Sequence, residues 1–219
     1  MKHLTIASLF AISVLAATSA QAQRPAPSSF YGSINADLAL PSDSDVKGVV
    51  SGDVKYGFSS GGNFAIGYQT AESKGAFGRF RVELEGGMYR YGLDSVTAGL
   101  VTNSDPKGDL SMYTVMGNLL YDIKTPYIVT PYVGVGVGEA FISYPRKDNL
   151  GNTDSTDSNF AYQFMAGLSY SPESMPQSDV FFGYRYLNAG TPEYPTIGGK
   201  VKIDSVEASN LELGYRYHF

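Results

Sequence analysis

Cysteine and tryptophan are both missing from the 219 residues. Without cysteine there is no disulfide framework, no thiolate metal site and no cysteine nucleophile. Histidine is nearly missing: of the two, His3 lies in an N-terminal stretch read below as a removable address, which leaves His218 next to the C-terminal residue. Histidine-clustered zinc chemistry and most histidine-based hydrolases are thereby disfavoured. Long apolar runs are also lacking. Beyond residue 22 nothing approaches the roughly 18 consecutive apolar residues of a membrane-spanning helix. Charged residues make up only 17%, with 16 Lys+Arg against 21 Asp+Glu and a net charge of −5. A mildly acidic chain offers no basic footprint, so nucleic acid is excluded as a partner.

What is plentiful is glycine (25), tyrosine (17) and phenylalanine (12). That mixture suits strands with close backbone approaches. The N-terminus is a separate matter. Met1-Lys2-His3 is a basic start, residues 4–17 are apolar, and Ala20-Gln21-Ala22 has the small-x-small form of a cleavage site. The apolar run is too short for a span of about 20 residues. Residues 1–22 therefore read as a cleaved signal peptide, and 23–219 as one exported domain opened by a short proline-containing leader.

From Phe30 onward apolar and polar residues alternate with period two, as a strand with two unlike faces requires. Eight segments show it. The first sets Phe30, Ile34, Ala36 and Leu38 against Ser33, Asn35 and Asp37. The second runs without a change of parity through Val54, Tyr56, Phe58, Phe64, Ile66 and Tyr68, opposite Asp53, Lys55, Asn63 and Gln69. The third is the sharpest, with Phe80, Val82, Leu84 and Met88 against Arg79, Arg81, Glu83 and Glu85. The fourth opposes Tyr113, Val115, Leu119, Tyr121 and Ile123 to Thr114, Asn118 and Asp122. The fifth opposes Val133, Val135, Val137 and Phe141 to Tyr132, Gly134, Gly136 and Gly138. The last three pair Phe160, Phe164 and Tyr170 with Gln163 and Ser169, Val180, Phe182 and Tyr184 with Asp179 and Arg185, and Leu211, Leu213, Tyr215 and Tyr217 with Glu212, Arg216 and His218. No segment keeps a 3.6-residue stripe. The spacing predicts an all-β, eight-stranded antiparallel up-and-down barrel, an even strand number as single-chain bacterial membrane barrels have.

Connections alternate in length. Residues 43–47, 94–107, 145–157 and 188–202 fall in long polar gaps, whereas 71–77, 124–127 and 172–178 are tighter. Four long loops on one rim and three short turns on the other is the asymmetry of a transmembrane barrel, with the short turns in the periplasm. Periodicity alone does not say which face is out, and a soluble barrel with its apolar row inward is the competing architecture. Three features favour lipid outside. The apolar row carries tyrosines near strand ends (Tyr56, Tyr68, Tyr113, Tyr121, Tyr170, Tyr184, Tyr217), although the usual tryptophans are absent. The polar row holds glycines (Gly134, Gly136, Gly138, Gly183, Gly214) that leave room for long side chains in a narrow interior. The chain ends Tyr215-x-Tyr217-x-Phe219.

At these residues the chain resembles the small Gram-negative outer-membrane β-barrel family of opacity proteins and surface antigens, the "porin family" outer membrane barrels. The stretches that carry the likeness are Asn63 to Tyr68, Arg79 to Glu85, Pro131 to Gly138, Phe160 to Tyr170, Phe182 to Tyr186 and Leu211 to Phe219. The resemblance implies residence in the cell outer membrane among its lipid and lipopolysaccharide. It further implies that Tyr215, Tyr217 and Phe219 are the signal read by the barrel-assembly machinery, and that the outer loops meet a host or cell-surface ligand.

Inside the barrel, Asp53, Lys55, Arg79, Arg81, Glu83, Glu85, Arg185, Glu212 and Arg216 would share a lumen about wide enough for side chains to fill. Charges so confined need partners or water. Their near balance predicts an ion-pair and hydrogen-bond plug that holds strand register. The competing reading makes Arg79, Arg81, Glu83 and Glu85 the selectivity charges of a small pore. Glu83 and Glu85 have the residue types of a glycosidase pair, but share their row with arginines and read as salt-bridged. The Gly134-x-Gly136-x-Gly138 run lies within a strand and opens no helix, so it is no dinucleotide fingerprint. Asp43 with Asp45, and Asp154 with Asp157, lack calcium-loop spacing. No Ser/Asp constellation is placed around His218. The expectation is a non-enzymatic, cofactor-free envelope barrel that displays its loops, with a low-conductance porin for small solutes as the second hypothesis.

Overall fold

A chain whose side chains alternate between apolar and polar meets two different environments at once only when it is extended. The computed structural model describes residues 28–41, 44–47, 52–72, 77–98, 101–103, 110–144, 147–148, 151–152, 155–190, 193–196, 199–203 and 207–219, and among them there is no helix. Eight long strands dominate: β1 Ser29–Pro41, β2 Gly52–Gln69, β3 Gly78–Ala98, β4 Leu110–Ile123, β5 Val129–Tyr144, β6 Ser155–Tyr170, β7 Ser178–Asn188 and β8 Glu207–His218. Each pairs antiparallel with the next. β1 also pairs with β8, from Tyr31 opposite His218 to Pro41 opposite Ala208, and this closes the ring. The closed eight-stranded barrel read from the alternation is the observed fold.

The apolar row faces outward. Phe30, Phe64 and Leu84 are 67%, 68% and 57% exposed, while Arg81, Gln163 and Glu212 on the opposite parity are buried. A soluble barrel has the reverse arrangement. Leaving one large apolar side chain in water forgoes about 1.5–3 kcal/mol, so a complete belt of them calls for lipid. The membrane is crossed by strands that each pair with both neighbours around the ring, the condition for entering hydrocarbon.

About ten residues suffice for a tilted strand to cross, yet β3 has 21 and β2 has 18. The surplus rises beyond the lipid belt and is itself paired. Ser44–Lys47 joins β2 and also meets Gly199–Ile203, which pairs in turn with Glu193–Thr196, while Val101–Asn103 adds to the end of β3. Lys147–Asp148 and Gly151–Asn152 form a separate small hairpin. Much of what reads as loop in the sequence is thus ladder. Asp, Asn and Gly composition signals a turn, but a backbone ladder continues wherever two extended segments leave the membrane side by side. β2 is one strand, as its parity implies, with register shifts against β3 between Lys55 and Ser59.

Candidate functional site

The lumen is filled in layers. At mid-height Arg185 on β7 is the hub. It donates from Nη1 to Glu85 Oε1 at 2.5 Å and to Gln163 Oε1 at 2.8 Å, and from Nη2 to Glu85 Oε2 at 3.0 Å. On its other side Nε and Nη2 reach Glu212 Oε2 at 3.1 and 2.9 Å. Gln163 donates to Asn118 Oδ1 at 2.7 Å, and the Tyr132 hydroxyl donates to Glu212 Oε1 at 3.0 Å. One guanidinium therefore ties carboxylates from β3 and β8, with amides and a phenol from β4, β5 and β6 around it. The planar five-donor fork of arginine makes such a hub possible.

Toward the short-turn rim, Arg81 donates to Asp122 Oδ1 and Glu83 Oε1, each at 2.9 Å. Arg79 takes the second Asp122 oxygen at 3.0 Å, and the Tyr31 hydroxyl donates to Glu83 at 2.6 Å. Arg216 packs between rings, 5.2 Å from the centre of Tyr31 and 5.1 Å from that of Phe181, while Arg81 lies 5.3 Å from Tyr132. These cation–π contacts cover the faces of buried guanidiniums. Above the hub, Asp37 accepts from Asn35 and Asn63 at 2.6 Å each, and the Tyr89 hydroxyl donates to Asn63 at 2.8 Å. Asp37 stands opposite Glu212 in the β1/β8 register. Like charges facing each other destabilise a ladder, and here the two amides and the nearby arginine offset that cost.

Glycine makes the packing possible at two telling positions. A Cβ on Gly183 would lie 2.5 Å from the Tyr132 hydroxyl and 2.6 Å from Glu212 Oε1. A Cβ on Gly136 would collide with Asn118 and Gln163. These interior glycines are the space the amide and phenol side chains occupy.

All seven nominated residues from Arg79 to Arg216 lie in these layers, and Glu83 and Glu85 are each paired with an arginine rather than with each other. The side chains of Asp53 and Lys55 lie outside the described residues, as do Asp43, Asp45, Asp154 and Asp157. Tyr215, Tyr217 and Phe219 face outward at the rim, with Phe219 75% exposed. The partners that sequence reasoning did not nominate are Tyr31, Asp37, Asn63, Asn118, Asp122, Tyr132, Gln163 and Asp179. Their shared inward parity is the signal in the sequence that marks them.

Two features depart from the sequence reading. First, the interior on the loop side holds an apolar cluster among the described residues: Tyr89, Met112, Met116, Ile142 and Leu187 are essentially unexposed and pack together. Met112 and Met116 occupy the row that Thr114 and Asn118 made look polar. Second, His218 does have a constellation. Its Nε2 lies 2.9 Å from Asp179 Oδ2 and its Nδ1 lies 3.1 Å from Ser29 Oγ. Strand closure brings Ser29 and His218 together across 189 positions of chain, which no local motif reveals. Arg216 at 3.1 Å and Ser171 at 2.7 Å share the same carboxylate. This carboxylate fastens β7 to β8 and to the turn at Ser171, and reaches β1 only through His218. Among the described residues no group of His, Asp and Glu has the arrangement of a metal site.

Comparison with known proteins agrees with this geometry. The barrel superposes on Neisserial surface protein A with a TM-score of 0.57 at 21% identity, covering 89% of this chain and 100% of that one. Outer membrane protein AlkL in lipid bilayers gives 0.54 at 17% (93% and 95% covered), and OprG from Pseudomonas aeruginosa gives 0.53 at 16% (89% and 98%). At such identities the likeness is one of fold. In sequence, uncharacterized proteins of Brucella abortus and Brucella melitensis are 34% identical over 87 residues, or 35% of this chain. The chain covers only 30% of the length of those relatives. Residues 7–219 match a single family description, which places the protein in the outer membrane: the chain belongs to the outer membrane protein beta-barrel domain family.

Proposed function

We propose that the protein is a closed, non-enzymatic envelope barrel that presents its outer connections to a host or cell-surface ligand. The observation that supports this is the doubly sealed lumen, with the Arg185 layer beneath and the Met112/Met116 cluster above. An ion would have to displace a guanidinium held by two carboxylates and then pass the buried apolar cluster. A rigid barrel with long paired extensions on one rim is a scaffold for display. Residues 1–22 would direct export, and Tyr215, Tyr217 and Phe219 would be read during assembly into the lipid and lipopolysaccharide of the membrane.

The test is single-channel recording of the refolded barrel in a planar bilayer, with a heat-modifiable gel shift as proof of folding. A folded and silent barrel is the expected result. Steady, ion-selective steps would reject it in favour of a low-conductance pore. That second reading draws on one observation, a lumen cavity of about 20 Å³ lined by Arg81, Arg185, Arg216, Glu83, Glu85 and Glu212, roughly the space of one water.

A further inference from the structure

Three side chains at the short-turn mouth of the barrel come from three different strands. Ser29 opens β1, His218 ends β8 and Asp179 lies one residue inside β7. Backbone bonds hold them in place: Phe219 N donates to Phe30 O at 2.9 Å, and His218 N donates to Gln177 O at 2.8 Å. The Asp179 carboxylate takes three donors, Ser171 Oγ on Oδ1 and both Arg216 Nη1 and His218 Nε2 on Oδ2. A carboxylate so surrounded is ionised and only accepts. The proton of a neutral His218 therefore lies on Nε2. Its Nδ1 is left bare and accepts from the Ser29 hydroxyl, 3.1 Å away. The groups around the imidazole are Asp179 from β7, Arg216 on the same Asp179 oxygen, and Ser29 and the Tyr31 ring (5.5 Å) from β1.

We propose that Ser29 is an activated nucleophile that accepts an acyl group from a carboxylic ester at the short-turn mouth. The proposal is independent of the display role, and it asks for one acyl transfer per barrel rather than turnover. A hydroxyl within hydrogen-bond reach of a base, with that base oriented by a third group, is the arrangement that activates a serine. Either imidazole nitrogen serves as the base, provided that it is the bare one. Ser29 Oγ attacks the carbonyl carbon as its proton passes to His218 Nδ1. The tetrahedral carbon then expels the alcohol, which takes that proton from Nδ1, and Ser29 is left as an ester. Asp179 is a positioning residue that acts through His218. Ser29 is half-buried between the exposed Ser28 and Phe30, and the His218 side chain is 14% exposed, so an ester reaches the hydroxyl without opening the lumen. Ser171 has no such base. Its hydroxyl donates straight to the carboxylate, which is far less basic than an imidazole.

The test is mass-mapped labelling of the barrel refolded in phosphatidylcholine vesicles, with folding checked by heat-modifiable migration. The probe is an alkyl fluorophosphonate, which leaves a phosphonyl group on an activated serine and releases fluoride. Ser29 should label at least about a hundredfold faster than Ser28 or Ser171, the scale of general-base assistance, and His218→Gln should remove that advantage. Heat-denatured chain should lose it too, because ring closure alone brings Ser29 to His218. The wild-type rate should climb between about pH 5 and pH 8, the range in which an imidazole releases its proton. Asp179→Asn should slow labelling at least about tenfold and move the climb to lower pH, since the imidazolium loses its anionic partner. A merely structural carboxylate would leave that profile in place. Two esters then separate the sources of the acyl group. Acetyl on Ser29 from p-nitrophenyl acetate identifies a soluble donor, and fatty acyl from the vesicle phosphatidylcholine identifies a lipid one. Phosphonyl labelling with no acyl adduct from either ester would overturn the acyl-acceptor role. Labelling of Ser29 no faster than Ser28 in the folded barrel would overturn the activation itself, and this comparison within the wild-type chain stands even if His218→Gln fails to fold.

Discussion

Arg185 shows what a single buried ion costs and contributes. It is 3% exposed and held between Glu85 and Glu212, themselves 3% and 2% exposed. Removing one partner of a buried pair leaves the others uncompensated, at a cost of about 3–5 kcal/mol. Arg185→Ala strands two carboxylates, so a loss of at least that order is expected in denaturant unfolding of the refolded barrel in micelles. Arg185→Lys keeps the charge but loses the fork, and should fall between wild type and alanine. If all three unfold at the same midpoint, the hub does not hold the barrel. Gly183→Ala probes the same layer from the other side. Its methyl group would press on Tyr132 and Glu212, and overpacking of this kind costs about 1–3 kcal/mol.

At the level of the strand, parity decides the fate of a substitution. Leu84 and Glu85 are neighbours in β3, one in lipid and the other in the lumen. Leu84→Arg should destabilise by about 2–4 kcal/mol if it lies near the bilayer midplane. Leu84→Phe should be nearly neutral by the same unfolding measurement, because lipid accommodates a larger ring where a packed core does not. The C-terminal strand carries a kinetic prediction. Phe219→Ala should slow the appearance of heat-modifiable barrel in the outer membrane while leaving export unchanged, and insertion at the normal rate would remove Phe219 from the assembly signal. The eight strands were legible because period-two alternation is a direct image of two environments, and their facing only through the strand-end tyrosines, the glycines of the polar row and the aromatic C-terminus. Their ends were not. β2, β3 and the short paired segments around 44–47 and 199–203 run on past the lipid, where no change of solvent marks the boundary.

For the whole molecule, the two seals of the lumen act in series. Met112→Ala with Met116→Ala opens space in the apolar layer, and each truncation of this kind costs about 2–5 kcal/mol. The double variant should be less stable yet still electrically silent, since the Arg185 layer remains. Conductance in that variant alone would show that the apolar layer is the true barrier and that the ionic layer leaks.

Composition and alternation by themselves determined that this chain is all-β with eight strands of two unlike faces, because the sign of each side chain's transfer free energy is local information; that the apolar face is the outer one is decided by closure of the ring. Which charges meet was decided only by closure of the ring. Arg185 finds Glu85 a hundred residues away, Ser29 finds His218 across the seam, and Met112 meets Leu187 in a layer whose rows looked polar one strand at a time. Register, strand tilt and the narrow bore set these encounters, and all three are properties of eight strands together.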